Sequence, residues 1–198
     1  MARPTEFDRA VVLEAAALCF WEFGYEATSV RELASRMGIA GASLYNAFGD
    51  KQSLYREALN HYAETGFGDR VRRFEGNLPP RQALAAFFEE IVARSLNDAK
   101  RRGCLLVNSA LDANAADLET QRTVAGKLVD IEAFFLRCVV AGQRAGDIAC
   151  GQPAEDLARL LLGVLLGIRV LARVRPERPL LEGIVRPAFA VLDTRGDV

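Results

Sequence analysis

The sequence contains little of what catalytic and metal sites need. His61 is its only histidine and lies beside no identifiable nucleophile, so Ser/His/Asp and Cys/His arrangements have little support. The four cysteines, Cys19, Cys104, Cys138 and Cys150, form no CxxC pair and no spacing suited to zinc or to a disulfide framework. A glycine-rich phosphate loop is absent as well. These absences disfavour an enzyme, and we expect neither a metal nor a cofactor.

Long apolar runs and an excess of positive charge are also missing. The most apolar run, residues 160–168, is bounded by Arg159 and Arg169 and is far shorter than the roughly 20 residues of a membrane span. The first residues show no apolar signal-peptide core, and the scattered cysteines fit a reducing compartment. We therefore expect a cytoplasmic protein without a membrane partner. With 25 basic and 26 acidic residues the net charge is -1, so any affinity for nucleic acid must come from a local arrangement of cations and hydroxyls.

What the chain does have is helical periodicity. Hydrophobic residues make up 51% of its 198 positions, and they recur at the spacing of amphipathic helices, with no alternating strand pattern. We predict an all-α fold in which three small helices precede a linking helix that starts at Lys51 and ends near Gly76. A larger helical bundle follows, with segments at residues 80–101, 104–111, 117–145, 154–174 and 180–192, for about nine helices in all.

Residues 28–51 have the pattern of two short helices joined by a tight turn. Ser29 and Glu32 can close a capping box, and Gly38 can end the first helix with a positive φ. A second helix of barely two turns follows, before Asp50 caps the linking helix. A helix, a glycine turn and a short helix together form the unit that sets its second helix into the DNA major groove. The same geometry also occurs as an ordinary corner of helical proteins.

The last two helices are the candidate dimer interface. The helix at 154–174 is apolar nearly all round, and a helix of this kind needs a partner to cover it in a small domain. A helix-turn-helix reader of half-sites also usually needs two-fold symmetry. The alternative is that both helices simply occupy the centre of the monomer. The predicted interface residues are Leu157, Leu161, Val164, Leu165, Ile168, Ile184 and Phe189.

Residues 3–59 carry a resemblance to a known family. The phrases RPTEFD, GYEATSVRELASRMGI and ASLYNAFGDKQSLYREAL resemble the N-terminal DNA-binding domain of the tetracycline-repressor (TetR) family of one-component transcriptional regulators. Beyond them the likeness is limited to the helix count and to RGCLLVNSALD at residues 102–112. The resemblance implies a helix-turn-helix DNA-binding domain at residues 1–50 and a ligand-binding and dimerisation domain at residues 51–198. It also implies a homodimeric repressor that binds a palindromic double-stranded DNA operator and is released by a small-molecule effector.

The same resemblance assigns DNA contacts residue by residue. The residues that it places near phosphates are Thr28, Ser29, Ser43, Tyr45 and Lys51. Those that it places near base edges are Arg31, Gly41, Ala42 and Asn46. Arg31 can pair bidentately with guanine, whereas Gly41 and Ala42 replace the larger side chains often found in the family and offer no hydrogen bond. Readout is therefore expected to depend on Arg31 and on DNA shape.

The C-terminal domain is expected to hold the effector. Its aromatic side chains can line an apolar cavity, although any one of them can equally fill the core. Asn108 interrupts an apolar segment and would orient a ligand if it faces a cavity. The predicted ligand-binding residues are Tyr62, Phe67, Phe87, Phe88, Cys104, Asn108, Phe134, Phe135 and Cys138.

Cys104 is the basis of an alternative. It follows Lys100, Arg101 and Arg102 and starts a helix, and both features favour a reactive thiolate. In that case modification of Cys104 by an electrophile or oxidant is the signal, as in some regulators of this family that resemble the chain at this point. The competing interpretation is an unreactive cysteine. A further alternative is a helical adaptor that has lost DNA binding.

Overall fold

The computed structural model describes residues 7–112 and 117–194, and every regular element within these ranges is helical. A π-helical segment, Glu64–Gly68, joins α4 to α5 without a break, so the described residues form nine continuous helices and the all-α prediction is confirmed. The first four residues of the phrase RPTEFD, at positions 3–6, lie outside the described residues. The α-helices are α1 (Arg9–Phe23), α2 (Val30–Met37), α3 (Gly41–Phe48), α4 (Lys51–Ala63), α5 (Asp69–Phe74), α6 (Pro80–Asn97), α7 (Leu105–Asp112), α8 (Leu118–Ala145), α9 (Ala154–Val174) and α10 (Arg178–Leu192).

Short acidic and hydroxyl side chains fix where the first helices begin. Asp8 caps α1, Ser29 caps α2 and Asp50 caps α4, and each side chain accepts a hydrogen bond from a backbone N–H of the first turn. Gly38 ends α2 at φ 67°, in the left-handed region that glycine adopts without a steric penalty. The predicted boundaries of the helix-turn-helix unit are thus confirmed.

The inner faces of α2 and α3 pack on α1 and α4. Leu33 of α2 and the α3 residues Leu44 and Phe48 are buried in the same core as Phe20 of α1 and Leu54 of α4. Burial of an apolar side chain of this size contributes roughly 1.5–3 kcal/mol relative to exposure. These contacts fix the orientation of α3 and so decide which of its residues face outward.

α4 contacts both halves of the molecule. One side of α4 packs on α1, and the other side packs on α7 and α8. The Tyr55 hydroxyl donates to Ser109 Oγ of α7 at 2.6 Å, and Ser109 in turn donates to the carbonyl oxygen of Leu105 at 2.7 Å. Arg56 forms an ion pair with Glu119 of α8 at 2.9 Å. A movement of the bundle therefore acts directly on α4.

The π segment lies inside the predicted linking helix and includes Gly66 and Gly68. A Cβ atom at Gly68 would lie 2.7 Å from a carboxylate oxygen of Glu64, so a larger residue there would displace that side chain. Single π turns inside α-helices are frequent at functional sites. Gly66 and Phe67 of this segment line the cavity described below.

The C-terminal bundle is built from α6, α8, α9 and α10. Its centre is a cluster of four phenylalanines whose ring centroids lie 5.3–5.7 Å apart, within the range of favourable aromatic pairs. All four side chains are buried, so they hold the helices together: Phe87, Phe88, Phe134 and Phe135.

Two boundaries in the bundle differ from prediction. α6 ends at Asn97 rather than near Arg101, because Asp98 begins a tight turn in which its carboxylate accepts from both the backbone and the guanidinium of Arg102. Arg101 adopts a left-handed φ of 51° in that turn. α10 begins at Arg178, two residues before the predicted start.

The predicted dimer interface is wrong for five of its residues. α9 is apolar on nearly all sides, and the pattern alone did not show which side packs against α8 and α6 of the same chain. Ile184 and Phe189 of α10 remain partly exposed. No helix within the described ranges is long and apolar enough to cross a membrane. The five α9 residues that are buried inside the monomer are Leu157, Leu161, Val164, Leu165 and Ile168.

The link between α4 and α7 can be tested through the Tyr55 hydroxyl. Burial raises the pKa of Tyr55, so the hydroxyl remains a donor to Ser109 at neutral pH. We expect Tyr55→Phe to lower the free energy of unfolding in urea by about 1 kcal/mol, the usual net value of a buried hydrogen bond. Tyr45→Phe, at an exposed tyrosine, is the matched control and should change nothing. Equal stability of the two variants would contradict the assigned bond.

Candidate nucleic-acid interface and inner cavity

The outer face of α3 is open to solvent. Leu44 and Phe48 point into the core, which leaves four predicted DNA contacts exposed and Ser43 partly exposed. Tyr45 is 51% exposed, an unusual exposure for a large aromatic residue. The exposed residues are Gly41, Ala42, Tyr45 and Asn46.

Polar groups from α2 and from the start of α4 flank this face. Ser29 and Arg31 are exposed, and Arg31 forms no ion pair with any residue that the structure describes. Lys51 stands at the N-terminus of α4, with its Nζ 4.3 Å from the ring centroid of Tyr25. This cation–π contact orients the lysine at a helix end where backbone N–H groups also favour an anion.

Thr28 departs from its prediction. Its side chain is buried, and its hydroxyl donates to the carbonyl oxygen of Gly24 at 2.6 Å. The hydroxyl therefore ties the end of α1 to the start of α2 and is not available to a phosphate. Ser29, the next residue, is the exposed hydroxyl at this position.

A cavity of about 250 Å³ lies between α1, α4, the π segment, α6, α7, α8 and α9. Its walls are mainly apolar, as in most small-molecule sites, and its volume is slightly below their usual range. The exposed side chains of Glu14, Leu18 and Arg94 lie on its lining and mark the side that faces solvent. Its lining includes the apolar and aromatic side chains of Trp21, Tyr62, Phe67, Phe87, Ile91, Leu128, Ile131 and Leu165.

Four of the nine predicted ligand-binding residues line this cavity, namely Tyr62, Phe67, Phe87 and Cys104. The other five do not. Asn108 is engaged elsewhere, since its amide donates to the Arg102 carbonyl oxygen at 2.9 Å and accepts from Arg173 at 3.0 Å. The remaining four belong to the core behind the wall: Phe88, Phe134, Phe135 and Cys138.

Arg169 lines the cavity but is not among the ligand-binding residues predicted from the sequence. Its guanidinium donates to Ser95 Oγ at 3.1 Å and to the Tyr62 hydroxyl at 3.3 Å. In the sequence, Arg169 stands at the end of the apolar run of residues 160–168. An arginine within an otherwise apolar helix was the signal that pointed to it, because such a charge needs a polar partner inside the fold.

The surroundings of Cys104 also differ from prediction. Lys100 pairs with Glu22 at 2.7 Å, and Arg102 pairs with Asp98 at 3.0 Å, so neither cation is directed at the thiol. The groups beside Cys104 are Tyr62, whose hydroxyl lies 3.9 Å from Sγ, and Arg169. The described residues contain no cluster of three or more histidine, cysteine or acidic side chains that could hold a metal ion.

A short helix with a solvent-facing outer side, held on a glycine turn above a helical bundle with an inner cavity, defines a helix-turn-helix transcriptional regulator. Two family models match the chain: "Bacterial regulatory proteins, tetR family" over residues 12–58 and "Tetracyclin repressor-like, C-terminal domain" over residues 80–186. The chain belongs to the tetR family of bacterial regulatory proteins.

Relatives agree with this assignment over most of the chain. The uncharacterized HTH-type transcriptional regulator YezE of Bacillus subtilis is 30% identical over 98% of this chain and 100% of its own length. The HTH-type transcriptional repressor ComR of Escherichia coli is 26% identical over 86% of this chain and 82% of its own.

Solved structures share the architecture. A cysteine mutant of the TetR family regulator CifR, complexed with 26-bp operator DNA, is 33% identical, with a TM-score of 0.84 over 96% of this chain and 100% of that chain. The reduced form of E. coli NemR has a TM-score of 0.85 at 14% identity, covering 94% of this chain and 98% of its own, and this shows the fold alone.

Proposed function

We propose that the protein is a homodimeric repressor that binds a palindromic operator through α3 and is released when a small molecule enters the inner cavity. The observation that carries this proposal is the position of α4. Lys51 at its start flanks the outer face of α3, and Tyr62 near its end lines the cavity. Eleven residue steps along a helix span about 16 Å, so one rigid element joins the two sites.

The proposed DNA contacts are the exposed subset of those implied by the resemblance. Ser29, Ser43, Tyr45 and Lys51 are assigned to phosphates, and Arg31 to a base edge. The structure of a CifR mutant complexed with operator DNA, which shares this architecture, supports DNA binding by the unit. Gly41, Ala42 and Asn46 complete the face that enters the groove.

The proposed dimer interface is the outward side of α9, not the inward side predicted from the sequence. Five residues at spacings of three and four form a seam of the kind that packs helices together. Leu160, Val170 and Val174 are exposed, and a Cβ added at either glycine of the seam would meet nothing within 4 Å. Small residues there let a partner helix approach closely. The seam is Leu160, Gly163, Gly167, Val170 and Val174.

The remaining alternatives have less support. An adaptor without DNA binding does not account for the open outer face of α3 beside an uncommitted Arg31. A thiol sensor built on Cys104 does not have Lys100 or Arg102 as an activating cation, since both pair with carboxylates, and the guanidinium beside the thiol is that of Arg169. We propose that the protein acts by binding, without catalysis.

DNA binding can be tested with the promoter fragment next to the gene. We expect Arg31→Ala to weaken operator binding by about tenfold or more, since one bidentate base contact is worth about 1–3 kcal/mol. Lys51→Ala should lower the salt dependence of the affinity by about one unit of slope per half-site. Arg144→Ala, at an exposed arginine on the distant end of α8, is the control. Gel shifts at several salt concentrations measure both effects. Specific binding that survives both changes would refute the assigned surface.

The dimer can be tested at its glycines. Gly167→Glu places a charge in the seam, yet glutamate favours a helix over glycine by several tenths of a kcal/mol, so the chain should stay folded. We expect light scattering to give the mass of one chain for this variant and of two chains for the wild type. Gly126→Glu makes the same change on the exposed side of α8, where there is also free space, and should remain dimeric. A dimeric Gly167→Glu variant would exclude this seam.

A further inference from the structure

The inner cavity carries more positive than negative charge. Three arginines line it, Arg70, Arg94 and Arg169, together with a single acid, Glu14. Two of the arginines share one carboxylate, since Arg70 lies 3.0 Å and Arg94 3.8 Å from the carboxylate of Glu90. Arg169 is the lining arginine that forms no ion pair among the described residues.

Among the described residues no carboxylate accepts a hydrogen bond from Arg169. Ser95 contributes a hydroxyl at 3.1 Å, Tyr62 a phenol at 3.3 Å, and Cys104 its sulfur. Burial raises the pKa of Tyr62, which keeps the phenol protonated at neutral pH. No ion pair joins Arg169 to a carboxylate in the part of the chain that the structure describes. A guanidinium is always charged, so the cavity holds a partly buried cation without a carboxylate partner among the described residues.

The cavity also contains a buried hydrogen-bond donor that has no acceptor among the described residues. Trp21 lines the same cavity, with its ring 5.1 Å from the ring of Tyr62, and its buried Nε1–H has no hydrogen-bond partner among the described residues. A buried donor left unpaired costs about 1–3 kcal/mol. One end of the cavity therefore offers a charge and N–H groups that an acceptor would satisfy.

We propose that the effector is a small carboxylate with an apolar body, whose carboxylate pairs with Arg169. A guanidinium has five N–H donors in a planar fork, and the three acceptors leave donors for a carboxylate, which matches that fork bidentately. The apolar body lies against Phe67, Leu128 and Ile131, and the volume of about 250 Å³ limits it to a single ring or a short chain. This inference rests on the proposed function of the cavity as the effector site.

The same geometry explains how such a ligand reaches the DNA-binding unit. Tyr62 accepts from Arg169 and belongs to α4, so a carboxylate that draws the guanidinium toward itself competes for that hydrogen bond. Cys104, next to both groups, immediately precedes α7, whose Ser109 is bonded to Tyr55 of α4. The ligand therefore acts on α4 at two points, directly through Tyr62 and through α7.

The inference can be tested by ligand titration of the intact protein. Trp21 is the only tryptophan and reports on the cavity by its fluorescence. Benzoate, phenylacetate and hexanoate are titrated against benzamide, phenylacetamide and hexanamide, which keep the shape and lose the charge. We expect at least one carboxylate to bind ten or more times tighter than its amide and to raise the melting temperature with concentration. Equal binding of acids and amides, or binding of none, would overturn the proposal.

Substitutions on α9 test whether the carboxylate of the ligand binds at Arg169. Arg169→Gln keeps N–H donors for Ser95 but removes the charge, so it should melt close to the wild type and lose carboxylate binding at least tenfold. Arg173→Gln, one turn further along α9 and exposed, should bind as the wild type does. Loss of binding in Cys104→Ser but not in Arg169→Gln would overturn the assignment.

A gel shift with the bound carboxylate separates this inference from the proposed function. Release of operator DNA supports both. Tight, Arg169-dependent binding without release confirms the ligand class and contradicts only the role of the cavity in regulation.

Discussion

The packing of α4 on both of its sides constrains the rest of the molecule. Leu54, Ala58 and Leu59 are buried, with α1 on one side and α7 and α8 on the other. Because protein interiors are packed as densely as organic crystals, such a helix cannot shift without repacking both neighbours. The orientation of α3 is therefore coupled to the state of the bundle, which is the mechanical condition for a one-component regulator.

The cavity contains polar groups whose incomplete pairing lowers the stability of the fold. Arg56 pairs with Glu119 at the contact between α4 and α8, and Arg70 on the cavity lining pairs with Glu90. The Arg169 guanidinium has no carboxylate partner among the described residues, and the buried Trp21 Nε1–H has no acceptor there, although apolar residues would fill the same space without that penalty. Sites that are left unsatisfied in this way are commonly functional, because a ligand can supply what the chain does not.

Much of the helix-turn-helix unit could be predicted because its signals are local. A cap such as Ser29 or a turn glycine such as Gly38 acts within one helical turn, so the residue type shows the structure. Thr28 was the exception, since the choice between facing solvent and bonding the Gly24 carbonyl depends on how α1 and α2 meet. The pocket could not be predicted from residue type, because phenylalanines that line it and those that fill the core share the same helices.

The wrong choice of interface residues on α9 has a physical cause. Both sides of α9 are apolar, so periodicity cannot say which side packs within the chain and which side meets a partner. Two glycines on one side of α9, Gly163 and Gly167, distinguish the two sides. Gly163 and Gly167 cost helix stability and fill no space inside the monomer, where any added Cβ would be free of contacts. In the proposed dimer, Gly163 and Gly167 therefore lie on the side of α9 that a partner helix approaches.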